Sequence, residues 1–135
     1  MVDISKELLE AVNKPGRIGI LGTANGQGQP NVAYFGSPRL MENGTIVMGL
    51  GSNRSLKNLE ENPQAVFFAI AESPVTFKTP GYRLYLKASE IQKEGPILEG
   101  VKEEIAQHAG PEAASMIQAA VVFDISEIRT LLAMG

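Results

Sequence analysis

Hydrophobic and polar positions divide most of the chain into six strand-like runs. The runs are RIGILGT (17–23), NVAYF (31–35), TIVMGL (45–50), AVFFAI (65–70), YRLYLKAS (82–89) and AAVVFDISEI (119–128). In the fifth run, leucine and alanine alternate with arginine, tyrosine and lysine, so one face of that strand is predicted to face solvent. The fourth run is apolar throughout, so that strand is predicted to be buried on both faces.

Helical spacing of apolar residues is found in four other segments. Residues 3–13 predict an amphipathic helix that ends before a Pro-Gly pair. Apolar residues four positions apart predict a helix over 96–108, and Pro111 begins a shorter helical segment. A fourth short helical pattern follows Asn53. The helices are therefore predicted to be accessories to the strands.

Turn signals separate the strand-like runs at intervals of about a dozen residues, a spacing typical of small all-β folds. Asn25-Gly26 and Asn43-Gly44 both precede such runs, and Asn-Gly favours hairpin turns because both residues tolerate positive φ. The pattern predicts a mainly β fold with accessory helices, an antiparallel split β-barrel of about six strands. With 135 residues and no linker, residues 1–135 are predicted to form a single domain.

Composition narrows the class of function. The chain is 44% hydrophobic and 20% charged, which is ordinary for a globular protein, and its net charge is −3. A chain with this net charge lacks the overall positive charge that binds nucleic acid or an anionic membrane surface, so neither is predicted as a partner. No cysteine is present for a disulfide or a thiolate metal site, and the N-terminus lacks an uninterrupted apolar segment. A cytoplasmic location is the expectation.

The stretch GLGSNRSLKNLEENP (49–63) joins a predicted strand to a predicted short helix. Ser52 or Asn53 is in position to cap that helix, and Asn62-Pro63 would end it. The free N–H groups and the dipole of a helix N-terminus favour an anion. Gly49 and Gly51 would allow the main chain to come close to a ligand.

Cations and a hydroxyl follow the predicted cap. Arg54 can form paired, charge-assisted hydrogen bonds, the Ser55 hydroxyl can add another, and Lys57 lies on the same side of the helix as Arg54. A phosphate group suits these donors. The other interpretation is a capped helix with solvated cations, and spacing alone favours it, since short patterns recur by accident. The stretch matches neither the P-loop nor the dinucleotide fingerprint, so ATP and dinucleotide folds are not predicted.

The order of motifs carries further information. An N-terminal helix precedes a strand with an Asn-Gly turn; QPNV, an aromatic residue and FGSP follow; and GSNRSLKNLEENPQAV completes the set. This order resembles the pyridoxamine 5′-phosphate oxidase-like FMN-binding split β-barrel family, nearest its small FMN-binding members. The resemblance runs from about Leu8 to Ile91 and returns in the terminal VVFDISEI, and its most specific part is the stretch from 49 to 63.

The resemblance implies an FMN site at matching positions. Arg54 and Ser55 lie where such proteins hold the FMN phosphate, with Lys57 as an additional candidate. Asn53, one of the two possible capping residues, is also a candidate for cofactor binding. The residues where the main chain of such proteins borders the flavin are Phe35, Gly36, Ser37, Gly49, Leu50 and Gly51. The family is built as homodimers with two flavin sites at the subunit interface, so a homodimer is implied here.

Two departures from the family pattern bear on function. Full pyridoxamine 5′-phosphate oxidases carry a second basic residue where this chain has Ser55, and they end in an R-L-x-P element where this chain ends RTLLAMG. Oxidation of a vitamin B6 phosphate is therefore not expected. The expected function is electron or hydride transfer through FMN to a small molecule or a redox protein.

No residue is assigned a catalytic role, and no metal site is predicted from the single histidine, His108. The alternatives are a flavin carrier without turnover, a binder of a deazaflavin or haem in the same fold, and an empty structural dimer. The loop SPVTFKTPGY (73–82) fits a cover over the flavin and a plain hairpin connection equally well.

Overall fold

A computed structural model gives the structure of residues 2–132. The helices are α1 (Lys6–Val12), α2 (Arg54–Glu61), α3 (Pro96–Ala109) and α4 (Pro111–Ser115). The strands are β1 (Ile18–Ala24), β2 (Pro30–Tyr34), β3 (Arg39–Leu40), β4 (Thr45–Leu50), β5 (Gln64–Ile70), β6 (Gly81–Gln92) and β7 (Ala119–Thr130). None of these helices combines the length and the apolar character needed to cross a membrane.

The strands form one antiparallel sheet in the order β2-β1-β5-β6-β7-β4-β3. Two register shifts between β6 and β7, at Tyr85/Leu86 and Ala88/Glu90, are irregularities of the kind that bends a sheet. The sheet curls into the split barrel, which confirms the predicted mainly β fold with accessory helices. The sheet has one more strand than the six runs of the sequence, because the two-residue β3 is too short to show a period.

The core lies inside the curl and is closed by α1 and α2. Its largest fully buried side chains come from most of the strands: Leu21, Leu40, Ile46, Met48, Leu50, Phe67, Leu84, Val121 and Phe123. The helix α1 adds Leu8 and Val12 to this cluster. It begins at Lys6, three residues later than the predicted start, after the Ser5 cap, whose hydroxyl accepts from the Leu8 N–H at 3.1 Å.

The prediction for β5 is wrong on one face. Ala65, Phe67 and Ala69 are buried, but the residues between them are only half-buried, so the strand alternates. Apolar residues occupy both faces, yet nothing in the described chain fully covers the outer one. An apolar run in the sequence does not show whether the outer face of its strand is covered, because that depends on how other parts of the chain pack.

A buried pair of polar side chains joins α2 to the sheet. Asn58 is 4% exposed and Thr23 is 5% exposed, and the Asn58 amide donates to the Thr23 hydroxyl at 3.1 Å. The bond fixes the position of α2 against β1, so it also positions the first turn of that helix.

We expect Asn58→Ala to lower the free energy of unfolding by about 1–3 kcal/mol, because the Thr23 hydroxyl is left buried without its partner. In an Asn58→Ala, Thr23→Val double variant, part of that loss should be recovered, since no unpaired hydroxyl remains. Urea titration of the two single variants and the double variant measures the coupling. Strictly additive losses would show that the bond does not connect α2 to the sheet.

Candidate functional site

The helix α2 begins as the sequence indicates. Asn53 is the N-cap, and its side-chain oxygen accepts from the Leu56 N–H at 2.9 Å, so Ser52 is not the capping residue. Leu56 and Leu59 are buried in the core. The end at Asn62 also agrees with the prediction.

The first turn of α2 contains hydrogen-bond donors that have no partner in the described chain. Within residues 2–132, no hydrogen bond uses the main-chain N–H of Arg54 or that of Ser55. The side chains of Arg54 and Lys57 are exposed, and no carboxylate of the described chain lies within the 4.0 Å ion-pair distance of either. Two cations and two open N–H groups therefore lie together at the positive end of the helix dipole.

Ser55 differs from the two cations in its burial. It is 2% exposed, and no group of the described chain forms a hydrogen bond with its hydroxyl. The hydroxyl oxygen itself is not fully enclosed. A ligand oxygen at the start of α2 can therefore be its partner, so the donor set fits a phosphate group.

The acidic residues of α2 lie at its other end and have partners there. Glu60 forms an ion pair with Lys93 at 2.7 Å, and Glu61 accepts from the Gly26 N–H at 2.9 Å. Both contacts connect the end of α2 to neighbouring turns. The charged side chains of the first turn of α2 are therefore both cationic, Arg54 and Lys57.

The glycines before α2 have a packing reason that the sequence did not reveal. A Cβ at Gly49 would lie 2.7 Å from a methyl of Val101 on α3, and a Cβ at Gly51 would lie 2.9 Å from the Met116 carbonyl oxygen after α4. Leu50 between them is fully buried. Gly49 is buried as well, so of these three residues only Gly51 has surface that a ligand can reach in the described chain. The two glycines allow α3 and α4 to pack there.

The two segments predicted to border a flavin ring adjoin each other. The Ser37 hydroxyl donates to the Gly49 carbonyl at 3.2 Å and accepts from the Gly49 N–H at 3.3 Å. Gly36 is exposed beside it, and Phe35 is half-buried against the core. Because Arg54 follows Gly49 by five residues, one continuous piece of chain connects these segments to the first turn of α2.

A concave region separate from the start of α2 lies beside the loop between β5 and β6. It has a volume of about 330 Å³, and its lining includes Phe68 and Ile70 of β5 together with Phe77 of the loop. Phe77 is 92% exposed, so the loop does not cover the cavity with its largest side chain. The structure brings none of the predicted phosphate donors to this cavity.

Sequence reasoning missed three polar side chains that hold this region together: Asn58, Asn13 and Arg17. Asn13 pairs with Leu40 through two hydrogen bonds of 2.8 Å, and Arg17 is 7% exposed under the segment between β2 and β3. The one available signal was a cation directly before an apolar run, and it did not distinguish a buried from an exposed arginine.

Comparison with known proteins identifies a matching family and several solved structures with a similar fold. The family described as pyridoxamine 5′-phosphate oxidase matches residues 4–131. An FMN-binding protein from Syntrophomonas wolfei subsp. wolfei superposes with a TM-score of 0.82 at 18% identity, over 96% of this chain and 87% of that one. HupZ of Group A Streptococcus gives 0.78 at 24% identity, over 96% and 94%.

A third similar structure is HutZ, described as the haem storage protein of Vibrio cholerae, with a TM-score of 0.69 at 19% identity over 93% of each chain. Identities at this level show the shared fold alone. Among curated proteins, the comparison finds no match.

Proposed function

Since the chain belongs to the pyridoxamine 5′-phosphate oxidase family, we propose that it is a small flavoprotein that binds FMN at the start of α2. The observation that carries the proposal is the first turn of that helix, where the N–H groups of Arg54 and Ser55 and the Ser55 hydroxyl have no hydrogen-bond partner within residues 2–132. A phosphate is the common biological group that accepts from such a set. Arg54 and Lys57 supply the opposing charge.

The flavin ring is proposed to lie against the main chain of 35–37 and of Gly51, the member of 49–51 that is not buried. Bound FMN supplies two-electron and one-electron transfer by its own chemistry. The chain's part is to fix the phosphate, to orient the ring through rigid backbone, and to limit the access of water. The proposed reaction is electron or hydride transfer to a small molecule or a redox protein, and no side chain is assigned a proton-transfer role.

A homodimer is part of the proposal, and the outer face of the sheet supports it. Strand register places Tyr34 and Phe68 on either side of Ile20, and Val32 and Val66 on either side of Gly22. Val32 is 71% exposed and Tyr34 is 67% exposed. An apolar sheet face left open in one chain suits burial against a second copy.

Val32→Glu is expected to raise the dimer dissociation constant by at least about a hundred-fold, because an unpaired carboxylate buried in an interface costs several kcal/mol. Sedimentation velocity over a dilution series measures it, with Met41→Glu as the control outside this face. A Val32→Glu protein that remains dimeric at the same concentrations as wild type would place the interface elsewhere.

A haem-binding function in the same fold is the second candidate, and the similarity to HutZ favours it. The visible spectrum of the purified protein separates the two. We expect the two flavin bands, and a Soret band without them would contradict the FMN proposal.

A second measurement separates a reductase from a carrier. Bleaching of the flavin by NAD(P)H without oxygen would identify a reductase, whereas an unbleached flavin would favour a carrier or a redox-protein donor. Cytoplasmic location and a single domain remain predictions.

A further inference from the structure

The segment between β2 and β3, residues 35–38, has little ladder pairing of its own. The Phe35 N–H continues the pairing of β1 and β2 by donating to the Gly19 carbonyl at 2.8 Å. Beyond this bond, the segment crosses between the two end strands of the curled sheet. Its conformation therefore depends on side-chain contacts.

One buried cation supplies most of those contacts. The Arg17 guanidinium donates to the Val12 carbonyl at 2.6 Å, to the Phe35 carbonyl at 3.3 Å and to the Pro38 carbonyl. These acceptors belong to the end of α1 and to both ends of the segment. Arg17 therefore joins the helix to the segment through a fork that a single-point cation does not reproduce.

This arrangement carries a cost. Burial lowers the pKa of the Arg17 guanidinium, an effect that the neighbouring Tyr34 hydroxyl partly opposes. No carboxylate pairs with Arg17 within the described residues, and its charge faces carbonyl oxygens and the ring of Phe67, whose centroid lies 5.1 Å away. A buried cation without a carboxylate partner destabilises the folded state relative to a well-packed apolar side chain of similar volume.

Other residues make room for Arg17 and extend its effect. A Cβ at Gly19 would lie 2.5 Å from the Phe35 carbonyl oxygen, so any side chain there would displace the segment. On the far side of the segment, the Ser37 hydroxyl bonds both main-chain groups of Gly49. A continuous set of hydrogen bonds thus runs from Arg17 through the segment to the strand that leads into α2.

We propose that Arg17 is a positioning residue that holds residues 35–38 in the conformation that borders the flavin ring, an inference that rests on the proposed FMN site. Arg17 does not contact the ligand. It keeps the binding-competent conformation populated before FMN arrives, and the apparent dissociation constant rises by the factor by which that population falls.

The test uses full-length Arg17→Met and Arg17→Lys, with Arg39→Met as the control because Arg39 is exposed on β3. Hydrogen exchange is followed in the FMN-free proteins at the Phe35 and Gly49 amides, with the Ala88 amide, bonded to the Pro63 carbonyl at 2.8 Å, as the reference. FMN titration follows at a temperature where each variant is folded.

We expect both Arg17 variants to lose protection at Phe35 and Gly49 while keeping it at Ala88. Their FMN dissociation constants should rise about ten-fold, the result of a competent fraction reduced to about a tenth. Arg39→Met should match wild type. Lost protection with unchanged FMN affinity would overturn the inference, as would a full rescue by lysine, because charge alone would then suffice.

Failure of the proposed function is recognised separately, because wild-type protein that binds no FMN defeats the FMN site whatever the exchange data show. If neither Arg17 variant folds, Ser37→Ala carries the test by releasing the segment from its Gly49 side. It should lose protection at Gly49 and bind FMN more weakly, and unchanged affinity would overturn the inference.

Discussion

Replacing Arg54 by alanine is expected to weaken FMN binding by about 1.5–3 kcal/mol, the usual contribution of a hydrogen bond to a charged group. That loss corresponds to a rise of roughly 10- to 150-fold in the dissociation constant. The reason is local, since the Arg54 side chain is exposed beside open N–H groups and has no carboxylate partner within residues 2–132. Because that side chain has no described partner, the stability of the protein without FMN should change little.

The matched control is Arg39→Ala, which removes an exposed arginine of β3 and the same unit of charge. Titration of flavin fluorescence at two salt concentrations separates the two variants. A general charge effect would weaken both equally and would disappear at the higher salt concentration. Equal affinities for Arg54→Ala and wild-type protein would show that the phosphate lies elsewhere.

Phe67→Ala should have the largest effect on stability, a loss of about 3–5 kcal/mol in the free energy of unfolding. Phe67 lies at the centre of β5, is fully buried and carries the Arg17 guanidinium over its ring. Its truncation leaves a cavity and removes the aromatic face that this cation contacts. We expect a less stable protein with a segment 35–38 that is also less protected from exchange.

Phe77→Ala is the matched control, because Phe77 is 92% exposed and its truncation leaves no cavity. Urea unfolding at one protein concentration measures both variants, since dimerisation makes apparent stability depend on concentration. Losses of similar size would mean that the side chain of Phe77 is buried in the protein in solution.

The fold was largely predictable from local patterns. The strand β4 begins and ends where the run TIVMGL does, and α2 begins at a recognisable cap and ends before Pro63. Such signals depend on neighbours in the sequence. The short β3 and the open face of β5 were not predictable, since strand pairing and coverage depend on distant segments.

The candidate site also has one part that the sequence could predict and another that it could not. The donors at 53–57 are contiguous, so a motif could reveal them. The bonds from Arg17 to Pro38, from Asn58 to Thr23 and from Ser37 to Gly49 join residues that are 12 to 35 positions apart, so they needed a structure. Gly49 and Gly51 were predicted to favour a ligand, yet they also accommodate α3 and α4, because a glycine in a sequence does not say what approaches it.

The most direct test of the FMN site is a crystal structure of the protein grown with FMN. The account predicts the phosphate within hydrogen-bond distance of the main-chain N–H groups of Arg54 and Ser55, with the Arg54 guanidinium on its oxygens. A phosphate bound elsewhere, with the first turn of α2 contacting only water, would contradict it.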